Sequence, residues 1–180
     1  MTVLKNLLTI CTLLLLFACG TKNKSQEEIQ KDWKTFETQD YSIKYPRLWM
    51  VNQSGYMGTS FLIISKQTSI RDFYQENVSL VEEVVSDTTD LEQYVQISIK
   101  ELQDTVQYVE IMKDTLISHN ENNFHQLIYE SQEGMNKITT EKYFFLKKQK
   151  AYTLTFSAKS IELGRYQPIG EGILNSFKLK

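Results

Sequence analysis

Cysteine is nearly absent: Cys11 and Cys19 are the two in the chain, and both precede Gly20. Everything after them folds without a disulfide, a thiol nucleophile or a cysteine metal cluster. Stability there must come from an apolar core, and the chain is long enough for one domain that holds together in this way. The seven glycines form neither a Gly-x-Ser-x-Gly elbow nor a phosphate-cradling loop. No sequence repeat is present, which excludes solenoids and propellers. Basic clusters are missing too: the net charge is −2, and Lys5 is the sole charged residue before Cys19, so the remainder is more negative still. That balance argues against nucleic acid as a partner.

What is present begins at the N-terminus. Lys5 supplies a positive flank, and Leu7 to Phe17 form an apolar run interrupted by Thr9, Cys11 and Thr12. A membrane-spanning helix needs about 20 apolar residues, whereas polar chain starts here at Gly20 and continues through Thr21, Lys22, Asn23 and Lys24. The pattern is that of a cleaved secretory leader, residues 1–18. Its end, Leu16, Phe17, Ala18 and Cys19, resembles the bacterial lipobox, in which a small residue precedes an acylated cysteine. The resemblance implies that Cys19 carries lipid (palmitate among its chains) and becomes the mature N-terminus. Several acyl chains give stable anchoring where one is marginal. The expected location is therefore the bacterial cell envelope, lipid-anchored to a membrane, with the domain outside the cytoplasm.

Residues 19–38 read as the lipidated cysteine and a polar tether, Gly20 to Lys31 being almost free of apolar side chains. Ile29, Trp33 and Phe36 have helical spacing, so a helical spacer over Glu27 to Phe36 is the alternative. Residues 39–180 read as one globular domain. Tyr41, Ile43 and Tyr45 alternate with polar residues as a strand that Pro46 stops. Phe61 to Ile64 is a buried run after a turn marked by Gly55 and Gly58. Asn77 to Val85 reads as a strand with Glu82 and Glu83 at a bulge or an exposed edge. Asp90 and Gln93 form a capping box for a helix whose face is Leu91, Tyr94, Val95, Ile99 and Leu102. Strands over Val106–Ser118, Phe124–Ser131, Ile138–Leu146 and Ala151–Ala158 follow as an antiparallel meander. The last segment places Tyr166, Ile169, Ile173, Leu174 and Phe177 at helical spacing, with Pro168 near the first turn and Gly170 and Gly172 weakening it.

Taken in order, these segments resemble the PsbP-like family, the superfamily of a photosystem II extrinsic subunit. The likeness is carried by Tyr41, Ile43, Tyr45, Pro46 and Trp49, by Asn77 and Val78 before a strand, by the Leu91–Leu102 helix and the meander, and by Asn175, Ser176 and Phe177. It covers Gln39 to Lys180. It implies an α+β fold, a central antiparallel β-sheet flanked by helices in an α/β/α sandwich, similar in outline to DcrB-like envelope lipoproteins and a Ran-binding nuclear import factor. Such proteins are binding or accessory proteins, which implies no enzyme and no cofactor.

Candidate sites are few. His119 and His125 flank the Asn120–Asn123 turn and would face each other if the loop held five residues; a shift of one puts them on opposite faces. A metal would need a third ligand, Glu121 being nearest, and ordinary turn-proximal histidines are the expected outcome. Glu82 and Glu83, as neighbours on a strand, point to opposite faces and cannot share a proton. Asp87 and Asp90 fit loop solvation and helix capping. Tyr56, between Gly55 and Gly58, and Tyr74, near Arg71, are candidate exposed binding residues, since tyrosine combines apolar area with a hydroxyl. Two readings follow: a non-catalytic module for an envelope protein or glycan partner, or a carrier of a small molecule or metal ion using a pocket between sheet and helix.

Overall fold

The computed structural model describes residues 32–119 and 122–180; the leader, Cys19 and the stretch Gly20–Lys31 lie outside them. Seven strands make the main sheet. In chain order these are β3 (Met50–Asn52), β4 (Phe61–Ile64), β5 (Asn77–Val84), β6 (Glu110–His119), β7 (Asn122–Glu133), β8 (Asn136–Lys147) and β9 (Lys150–Lys159). They are arranged as β3-β4-β5-β9-β8-β7-β6, antiparallel throughout. A smaller sheet joins β1 (Trp33–Glu37), β2 (Tyr41–Pro46) and β10 (Lys178–Leu179) in the order β1-β2-β10. Two helices, α1 (Leu91–Thr105) and α2 (Leu163–Asn175), complete the α+β architecture.

Strand alternation sorts the main sheet into two faces. Phe61, Ile63, Val78, Leu80, Tyr143, Phe145, Leu154 and Phe156 share one, and they pack with Tyr41, Ile43, Ile173, Leu174 and Phe177 from the small sheet and α2. Each such side chain taken fully from water contributes about 1.5–3 kcal/mol. On the other face, Leu127, Tyr129, Phe144 and Ala151 meet Tyr94, Val95, Ile99 and Leu102 of α1. The abundance of aromatic residues is mostly core: Tyr41 and Phe145 both stack near Phe177, and Phe124 lies on Tyr143 with ring centroids 4.4 Å apart.

The capping box at α1 forms in full, Asp90 Oδ1 accepting from Gln93 N–H at 2.8 Å while Gln93 Oε1 accepts from Asp90 N–H at 3.1 Å. Two expectations are corrected, and one of two alternatives is decided. Trp33 and Phe36, whose spacing suited a helical spacer, lie on a strand paired with β2 and pack against the core. Glu82 and Glu83 take the exposed-edge alternative and not the bulge: β9 pairs in unbroken register along all of β5 but β4 pairs only with its first half, Asn77 to Leu80, and on the open stretch Glu82 binds the Lys150 ammonium and Glu83 accepts from the Tyr94 hydroxyl. Pro168 falls in the interior of α2 instead of its first turn, because the helix already starts at Leu163.

Candidate functional site

Adjacent residues on an interior strand must point to opposite faces, and on β8 the adjacent pair is Glu141 and Lys142. Glu141 is registered with Ile128 and Phe156, Lys142 with Leu127 and Thr155. Strands in a core normally carry apolar residues at such places. Here each face of the sheet receives one charge, and each charge faces a cavity under a helix.

Beneath α2 the cavity measures about 340 Å³ and is walled by Met112, Ile128, Phe156 and Leu163, with Lys113 and Gln167 as polar lining. Glu141 is 5% exposed there. Gln126 Nε2 donates to Glu141 Oε1. Burial raises the Glu141 pKa; Glu171 adds to the rise, while Gln126, Tyr143 and Lys113 oppose it. A carboxyl whose folded pKa lies above its unfolded value costs stability once pH climbs from the ordinary carboxylate range through the raised value. Glu141→Gln keeps the acceptor for Gln126 and removes the charge. The variant is expected to be more stable than the parent at pH 7, by on the order of 1 kcal/mol, and equal to it near pH 4. Urea denaturation at the two pH values checks this; a difference independent of pH would refute the assignment.

Across the sheet the larger cavity, about 640 Å³, runs between α1 and the strands, lined by Val81, Tyr94, Leu102, Tyr129 and Phe144 around Lys142. Burial alone lowers the Lys142 pKa. Its Nζ lies 5.9 Å from the Tyr129 ring centroid, and among the described residues no carboxylate pairs with it. Glu83 and Glu101 also line the groove, but Glu83 is engaged by Tyr94. The Tyr94 hydroxyl, pushed up to about 12 chiefly by burial, stays protonated and lies 3.0 Å from Thr153 Oγ1. The groove thus offers an apolar floor, hydroxyls, the Glu101 carboxylate and an ammonium that no carboxylate among the described residues pairs.

The residues singled out from sequence lie elsewhere. His125 is buried under the first turn of α1, its Nε2 on Asp114 and its Nδ1 3.7 Å from Glu92, without a hydrogen bond on that nitrogen. His125 is registered with Leu116, three positions from His119, so the two strand positions have opposite parity; the side chain of His119 and residue Glu121 lie outside the description. Among the described residues no group of three or more His, Cys, Asp or Glu side chains could hold a metal ion. Tyr56 is 60% exposed. Tyr74 is only half-exposed, with Lys159 Nζ 5.9 Å from its ring centroid, so its expected exposure is corrected. Sequence reasoning missed Glu141 and Lys142 because a charged residue in an alternating strand reads as solvent-facing.

A family model described as PsbP-like protein matches residues 17–179. The chain belongs to the PsbP-like family. Among solved structures it is similar to cyanobacterial PsbP (CyanoP) from Synechocystis, with TM-score 0.62 and 12% identity over 83% of this chain and 93% of that one. It is similar also to LpqN of Mycobacterium tuberculosis, a protein involved in cell envelope biogenesis (TM-score 0.60, 10% identity, 85% and 95% covered). The yeast Ran-binding protein Mog1p shares the fold as well (TM-score 0.55, 8% identity, 82% and 95% covered). Among curated proteins none matches in sequence. At these identities the structural likeness establishes the PsbP-like fold, as the order of motifs implied. Among the described residues no helix is long and apolar enough to cross a membrane.

Proposed function

We propose that this PsbP-like protein is a non-catalytic envelope lipoprotein, anchored through Cys19, whose domain holds an acid-bearing small molecule in the groove beneath α1. The observation that carries the ligand class is Lys142, a half-buried ammonium paired with no carboxylate among the described residues, in a groove lined mainly by apolar and hydroxyl groups, with Glu83, which Tyr94 engages, and Glu101 at its wall. Leaving a charge so placed is costly unless a counter-charge arrives. A carboxylate or phosphate with an apolar tail supplies both the missing charge and the surface to fill the groove, whose size suits a small organic ligand. This favours the small-molecule reading over a protein or glycan partner. The leader ending in Ala18–Cys19 supports the anchored placement. The envelope role in the name of LpqN and the generally accessory, non-enzymatic character of the family support the rest.

Decanoate and decanol separate the charge from the tail. Decanoate at a hundredfold excess over its dissociation constant is expected to stabilise the domain by about 2.7 kcal/mol, read as a rise in melting temperature, and decanol to do so far less. Equal stabilisation by both, or by neither, would remove Lys142 from the recognition.

A further inference from the structure

The two ends of the main sheet differ in chemistry. One end is marked by the row Ile64, Asn77, Ser157 and Thr140, which are registered in succession. Just beyond that row lie the β2–β3 turn (47–49), the β4–β5 loop (65–76), the β7–β8 turn (134–135), the α1–β6 connection (106–109) and the single turn Ser160–Glu162. Their tips are apolar and bare: Leu48 is 72% exposed, Ile70 90%, Phe73 90%, Tyr108 81%, Met135 100% and Ile161 90%. At the opposite end the connections carry Ser86, Asp87 and Thr88, Lys148 and Gln149, together with Asp40 and Lys180. Val84 is exposed there, and the β3–β4 connection, which leaves the same end, exposes Tyr56 (60%) and Met57 (82%), so that end has fewer bare apolar residues but is not free of them.

Loop tips are ordinarily polar, and a set of large apolar side chains converging on one end marks an interaction surface. The position of the N-terminal chain says which. Trp33 is registered with Pro46, which leads within four residues to Met50 at the apolar end, while Asp40 is tied by Lys150 (3.0 Å) to the polar end. The chain from Cys19 therefore enters the fold at the apolar end, and the residues between Cys19 and Trp33 can reach at most about 45 Å when extended. A lipid on Cys19 would hold this end, and not the polar one, nearest the bilayer.

We propose that this end lies against the phospholipid bilayer, with Ile70, Phe73 and Ile161 entering the boundary between headgroups and acyl chains. The proposal rests on the anchored reading above. Arg47, Lys66 and Arg71 flank the tips and have no ion pair among the described residues, so they are free to meet lipid phosphates. Asp72 is engaged by Lys159 and Thr68, and Glu133 and Glu162 keep the end from being strongly basic. The apolar tips therefore supply the main attraction and the free cations the preference for anionic lipid. Such an orientation leaves the sides of the sheet, including the groove beneath α1, open to the aqueous compartment.

The test uses residues 19–180 carrying Cys19→Ala, so that no acyl chain contributes, with vesicles of phosphatidylethanolamine and phosphatidylglycerol. The protein is expected to cosediment, with less bound at high salt, and Ile70→Ser combined with Phe73→Ser to cut the partition coefficient at least about tenfold. Val84→Ser, at the other end, should leave it unchanged. All these side chains are exposed, so melting temperatures should match the parent. Phe73→Trp emission is expected to shift to the blue on vesicles, and Val84→Trp emission to stay. Absence of binding at millimolar lipid, or binding insensitive to the tip substitutions, overturns the proposal, including the case where the same substitutions abolish crosslinking to one envelope protein. Mass spectrometry of Cys19 in cells tests the anchor separately: vesicle binding with an unmodified Cys19 would sink the anchored reading and leave the apolar surface standing.

Discussion

Gly170→Ala is expected to destabilise the domain by roughly 2 kcal/mol, whereas Gly164→Ala, six residues earlier on the same helix, should stabilise it slightly. In isolation both changes favour a helix, by about 0.8–1 kcal/mol. The difference lies in what the new methyl group meets. At Gly170 a Cβ would fall 2.5 Å from the ring of Phe156, which is itself fully buried at the centre of β9. Phe156 stands between Glu141 on β8 and Val78 on β5 and walls the cavity beneath α2. Either the helix moves away from the sheet or the buried Phe156 ring is driven from its place toward the cavity, and overpacking of this kind costs about 1–3 kcal/mol. At Gly164 nothing lies within 4 Å. Urea denaturation of the two variants checks the prediction; changes of the same sign at both positions would show that α2 does not seat on β9 as described. Lifting α2 would also open the Glu141 cavity, so Gly170→Ala should shrink the stability gap between pH 4 and pH 7 that burial of Glu141 creates.

Gly170 also shows where sequence reasoning stops. Read along the chain, it weakens a helix; read across the sheet, it is the close approach that lets the helix pack. What could be read locally was right: Phe61–Ile64 are the bounds of β4, the capping box at Asp90 forms both of its bonds, and the meander strands appear in order. Each of these is specified by residues a few positions apart. Apart from Pro168, misplaced because the helix begins earlier than its periodicity shows, the failures involve partners far away in the chain. Trp33 and Phe36 satisfy a helical period equally well, and pairing with Ile43 and Pro46 decides for a strand. Glu82 and Glu83 do lie on an open edge, but their partners, Lys150 from β9 and Tyr94 from α1, could not be read from the local sequence. Lys142 looks solvent-facing within Ile138–Leu146 because nothing local announces that α1 will cover that face. The succession of motifs was enough to name the family; that β8 carries a buried Glu141 and a half-buried Lys142 emerges only when the layers are assembled.

Lys142→Met should make the protein more stable and less able to bind acids. The side chain lies on an interior strand, beneath α1, among Tyr129, Phe144 and Leu102, and its ammonium is held below the usual lysine range by burial without a compensating carboxylate. Methionine has similar length and flexibility, so it can fill the same volume without the charge. Replacing buried charged groups by packed apolar ones is commonly neutral to stabilising by about 1–4 kcal/mol, and a gain of about 1 kcal/mol corresponds to roughly 2–4 °C in a domain of this size. The pH dependence fixes the cause. A lysine whose folded pKa lies below its unfolded value has fewer bound protons in the fold than in the unfolded chain across the window between the two, so parent stability rises with pH there. The advantage of Lys142→Met should therefore be full at neutral pH and narrow as pH approaches the ordinary lysine value of about 10.4. Decanoate should reverse the ranking, because a carboxylate against Lys142 supplies the missing counter-charge in the parent and finds none in the variant. A destabilised variant would mean that Lys142 is already compensated within the fold. A stabilised variant that binds decanoate as the parent does would place the acid elsewhere. Gain of stability with loss of the acid is the combination that marks a residue kept in the core for binding at the expense of folding.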